Sequence, residues 1–74
     1  MDKYGVILFH TSTSAMQAET VLSRAKLPVK LIPTPRQLSS DCGVSLRFLW
    51  DQNEQVCTLL NQMRVETAGI YPLS

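Results

Sequence analysis

Twice along this chain the hydrophobic period switches from that of a strand to that of a helix, and each helix is followed by another strand. Tyr4-Gly5-Val6-Ile7-Leu8-Phe9 is a short continuous apolar run, the pattern of a strand covered on both faces. His10-Thr11-Ser12-Thr13-Ser14 then turns abruptly to polar residues. Ser14 and Gln17 have capping-box spacing, with Ser12 as a competing cap. From Ala15 the period is helical: Ala15, Ala18, Val21, Leu22 and Ala25 form one stripe, and Gln17, Glu19, Arg24 and Lys26 fall largely away from it. The small residues on that stripe let the helix lie close to a sheet. Pro28 stops the helix, and Lys26 suits its negative end.

Val29-Lys30-Leu31-Ile32 reads as a second strand, ended by Pro33, which suits the edge of a sheet. Val44-Ser45-Leu46-Arg47-Phe48 alternates apolar and polar, the period of a half-buried antiparallel strand. Asp51 and Glu54 are spaced as a capping box for a second helix, whose buried face is Val56, Leu59, Leu60 and Met63. A weaker last strand runs from Val65 to Tyr71, interrupted by Gly69 and closed by Pro72. The order is β-α-β-β-α-β. Right-handed crossovers with both helices on one face make this an α+β, ferredoxin-like sandwich with a four-stranded antiparallel sheet. Its first and third strands are central.

With 74 residues, positions 1–74 are expected to form a single domain. A chain this short buries only about 60% of the surface its unfolded form exposes, so chemistry belongs on a surface loop or an interface. Seven basic and six acidic residues give a net charge of +1, with no basic stripe or aromatic series to suggest nucleic acid. No apolar run has membrane-spanning length, and no leader pattern is present, so the expectation is a cytoplasmic protein without membrane contact. Two cysteines are too few for a disulfide scaffold.

The longest stretch without periodicity is Pro33-Thr34-Pro35-Arg36-Gln37-Leu38-Ser39-Ser40-Asp41-Cys42-Gly43-Val44. In the expected topology, the start of the third strand at Cys42-Gly43 lies beside His10-Thr11, where the first helix also begins. A helix N-terminus, Arg36 or a protonated His10 would favour the thiolate of Cys42, while Asp41 would oppose it. Gly43 permits φ > 0 and a close approach to the sulfur. The structural alternatives are plain. A lone cysteine usually packs as a small hydrophobe, His10 can simply close a strand, and Ser39 and Ser40 can be turn formers. Cys57, beside the second helix's core stripe, reads as packing, and Trp50 as filling the strand–helix junction. The two cysteines lack the spacing and the second histidine of a zinc site, so no metal or cofactor is expected.

Several of these segments together resemble the selenium/sulfur carrier protein-like family of small bacterial proteins. They are the strand followed by Ser/Thr and a helix containing Ala18-Glu19; Val29-Lys30-Leu31-Ile32-Pro33-Thr34-Pro35-Arg36; Leu38-Ser39-Ser40-Asp41-Cys42-Gly43; the strand from Val44; and Gly69-Ile70-Tyr71. The similarity spans nearly the whole chain. It departs at Leu27-Pro28, where members commonly carry a Gly-hydrophobic pair.

The resemblance implies a carrier whose thiol is Cys42, loaded as a persulfide or selenopersulfide. Arg36, Ser39, Ser40, Gly43, His10, Ser12 and Ser14 are the expected supporting residues. Such a protein is a carrier or accessory protein rather than an enzyme. Its partners would be a sulfur or selenium donor enzyme and an acceptor protein. Two alternatives stand beside it. One is a non-covalent ligand- or protein-binding module using the open sheet face, which could also pair two copies, because Val6 and Leu8 are apolar as well as Ile7 and Phe9. The other is a thiol redox sensor at Cys42.

Overall fold

The structure, a computed structural model, describes residues 3–38 and 43–73, and the statements below concern these. Strands β1 (Tyr4–Leu8), β2 (Val29–Pro33), β3 (Val44–Leu49) and β4 (Gly69–Leu73) form one antiparallel sheet in the order β2-β3-β1-β4. Helices α1 (Ser12–Arg24) and α2 (Asn53–Gln62) complete the ferredoxin-like α+β fold. Pro33 and Pro72 both lie on edge strands, where an absent N–H does least harm to the ladder.

Register divides the sheet into two faces. Ile7, Phe9, Leu46 and Phe48 join Ala15, Ala18 and Leu22 of α1 and Val56 and Leu60 of α2 in the core. The alanines bring α1 close to the strands, as their size requires. On the opposite face Val6 and Leu8 are nevertheless 0% and 3% exposed. Val6 is flanked across the ladder by Arg47 and Tyr71, and the Arg47 guanidinium lies 4.4 Å above the Tyr4 ring. Leu8 faces Gly69, over which the Tyr71 ring folds. Val6 and Leu8 are thus buried within a single chain although they lie on the open face.

Both helix starts differ from the spacing-based expectation. Thr11, not Ser14 or Ser12, caps α1: its backbone is extended (φ −138°, ψ 155°) and its hydroxyl accepts the Ser14 N–H at 3.2 Å. At α2 no capping box forms. The Trp50 N–H donates to the Lys3 carbonyl at 2.9 Å, a 3₁₀ turn over Trp50–Gln52 follows, and Gln52 takes the cap position without a side-chain bond. Asp51 thus sits inside that turn. Met63, beyond the last helical residue, is 60% exposed instead of buried, and Ala25 is likewise exposed. The last strand begins at Gly69, later than Val65, and continues through Pro72 to Leu73.

Each helix ends in the same way. Lys26 (φ 63°) and Arg64 (φ 56°) are left-handed, and paired bonds close the last turns: Lys26 N–H to Ser23 and Leu27 N–H to Leu22, Arg64 N–H to Asn61 and Val65 N–H to Leu60. Leu27 and Val65 then pack on the core. A left-handed L-residue costs roughly 1–2 kcal/mol, partly offset here by a cation near the helix's negative end. Lys26→Gly and Arg64→Gly are each expected to stabilise the protein by about 0.5 kcal/mol, measured by urea unfolding.

Candidate functional site

Leu8 pairs with Ser45 and Pro33 with Val44, so several connections converge at one end of the sheet. They are the turn from β1 into α1, the departure from β2 and the entry to β3. In Pro33-Thr34-Pro35 only Thr34 owns a backbone N–H, since proline has none. That N–H donates to the Gly43 carbonyl at 3.1 Å, extending the β2–β3 ladder past its last paired residues. The Thr34 hydroxyl also lies 2.8 Å from that of Ser45, which is 0% exposed. Two bonds from Thr34 thus close the neck of the loop. Beyond it, the Leu38 N–H bonds to the Pro35 carbonyl at 3.0 Å in a turn that leaves Arg36 exposed.

The residues expected at the site are distributed as follows. His10 is exposed in the turn after β1, and it is not without an interaction partner. Ser12 is the exposed first residue of α1. Ser14 is half-buried and its amide is already bonded to Thr11, while its hydroxyl accepts from the Thr11 hydroxyl at 3.2 Å. Of the first-turn amides outside the helical ladder, that of Ser14 is met by Thr11, leaving those of Ser12 and Thr13. Gly43 is exposed. Its carbonyl accepts the Thr34 N–H and continues the ladder. A Cβ at Gly43 would meet no atom within 4 Å. Ser39, Ser40 and Cys42 lie outside the described residues.

Thr34 and Ser45 were not singled out by sequence, though the lone N–H between two prolines was a usable signal for Thr34. Thr34→Val is expected to strand the buried Ser45 hydroxyl and destabilise by about 1–3 kcal/mol. Adding Ser45→Ala should recover part of that loss, read from urea unfolding of the single and double variants. The other cysteine, Cys57, is half-buried on α2 with its sulfur 3.6 Å from Asn53 Oδ1. Among the described residues no helix is long and apolar enough to cross a membrane.

Fold and site end together define a small α+β sandwich with a pinned loop at one sheet end. Residues 4–72 match the model of the family described as "Putative Se/S carrier protein-like", and the chain belongs to that family. No curated protein and no solved structure matches the chain.

Proposed function

We infer that the protein carries a sulfur or selenium atom on Cys42, between a donor enzyme and an acceptor protein. The observation that carries this reading is membership of the carrier family over residues 4–72, a span that includes the Cys42 loop. The Thr34 bonds add support, because they tie the loop's neck to β3. In the sulfur case, the Cys42 thiolate attacks the outer sulfur of a donor persulfide. A new S–S bond forms to Cys42, the donor's S–S bond breaks, and the donor cysteine leaves as a thiolate. An acceptor nucleophile later attacks the same outer atom and releases the Cys42 thiolate, with no net oxidation in either exchange.

Arg36, Ser39, Ser40 and the free amides at Ser12 and Thr13 are the groups we assign to the anionic terminal atom. Ser14 and Thr11 hold the helix start in place. His10 and Arg36 favour the thiolate, and the open space at Gly43 admits a partner. The protein acts as a carrier, without turnover of its own, in the cytoplasm. Intact mass after incubation with a cysteine desulfurase and cysteine tests the sulfur form, and the same enzyme given selenocysteine, which forms a donor selenopersulfide, tests the selenium form. A gain of one chalcogen atom is expected with the cognate donor, and no gain with either donor would overturn the reading.

A further inference from the structure

Among the described strand positions, the open sheet face carries two neighbouring cations and no acid. Lys30 on edge strand β2 is directly across from Arg47 on β3, and Arg47 lies across from Val6. In register, the face is completed by residues such as Tyr4, Leu8, Ile32, Leu49 and Tyr71, and none of its described positions is Asp or Glu. Like charges directly opposite on adjacent strands repel. Tyr4, Lys30, Arg47 and Leu49 border a shallow hollow of about 470 Å³ at the β2 edge. This hollow lies towards the end of β3 away from Gly43.

We propose that this hollow docks an acidic segment of a partner protein, whose carboxylates bind Lys30 and Arg47. A carboxylate between the two cations turns their repulsion into two charge-assisted contacts. A second copy fits poorly. Face-to-face pairing would gather four cations, and the apolar centre that would drive it, Val6 and Leu8, is already covered within one chain. A nucleic-acid strand needs bare aromatic faces for its bases, and the Tyr4 ring is occupied by Arg47 at 4.4 Å. Two cations also give little counterion release. The proposal does not depend on Cys42 carrying sulfur, since it concerns another part of the sheet.

The test is a titration of isotope-labelled protein with a polyglutamate peptide, beside a polyglutamine peptide and an oligouridylate, at low and high salt. The expected result is amide shifts centred on Tyr4, Lys30, Arg47 and Leu49 with the glutamate peptide only, suppressed by salt. Lys30→Glu should weaken that binding about tenfold or more while raising the melting temperature, because it converts a like-charge cross-strand pair to an opposite one. Lys30 is the residue to change because it is exposed, whereas Arg47 is half-buried and stacked on the Tyr4 ring. Any one of four results would overturn the proposal: no shifts at these residues, shifts indifferent to Lys30→Glu, tighter binding of the oligouridylate, or self-association through this face.

Discussion

Gly5→Ala is expected to remove about 1–3 kcal/mol of stability, a large share of the roughly 3–5 kcal/mol that a core of this size supplies. Gly5 lies directly across from Phe48 in the central strand pair. A Cβ there would sit 2.5 and 2.8 Å from Phe48 ring atoms and 2.6 Å from a Trp50 ring carbon. Neither ring can yield easily. Phe48 is 1% exposed in the middle of the core, and the backbone of Trp50 is bonded to Lys3. The two rings also pack on each other, with centroids 5.9 Å apart and planes tilted by 32°, so one cannot shift without the other. Gly5 has no positive φ, so the effect is steric rather than conformational. Urea unfolding should show a clearly lowered midpoint for Gly5→Ala, with partial recovery in a Gly5→Ala/Phe48→Leu double variant. A midpoint equal to that of the unmodified protein would contradict this account of the core.

That glycine illustrates what the sequence could and could not reveal. The period switches define four strands and two helices, and Pro33 marks an edge strand, because periodicity and proline chemistry are local properties. Gly5 inside an apolar run carried no sign of the rings above it, since Phe48 reaches it only through strand pairing. The cap of α1 was ambiguous for a different reason. Thr11, Ser12 and Ser14 all have the required oxygen, and only the extended backbone at Thr11 selects one of them. At α2, the bond between Trp50 and Lys3 overrode the Asp51–Glu54 spacing. The open face is a further case: Val6 and Leu8 are apolar in sequence, and their burial within one chain follows from tertiary packing.

For the site, the loop's position between β2 and β3 was legible from its two prolines and its lack of period. Its anchoring was not. Thr34 and Ser45 are 11 residues apart and meet only because Pro33 pairs with Val44. Gly43 is uncrowded among the described residues, since a Cβ there would meet no atom within 4 Å. Its bareness suits our proposed approach of a partner at the neck of the loop.

Cys42→Ser is expected to abolish chalcogen loading, the largest functional effect of any substitution in this account. A serine oxygen is of similar size, so folding should be little changed, but it forms no stable perthiol equivalent. Cys57 provides the internal comparison. It is half-buried, hydrogen-bonded within its own helix, and away from the loop in sequence. Its replacement by serine should leave loading intact. The direct measurement is therefore intact mass of the unmodified protein, Cys42→Ser and Cys57→Ser after each is incubated with a cysteine desulfurase and cysteine, with selenocysteine in place of cysteine run in parallel. One added sulfur or selenium atom, removable by a thiol reductant, is expected on the unmodified protein and on Cys57→Ser, and none on Cys42→Ser. An adduct that persists in Cys42→Ser, or no adduct on the unmodified protein with either donor, would contradict that expectation.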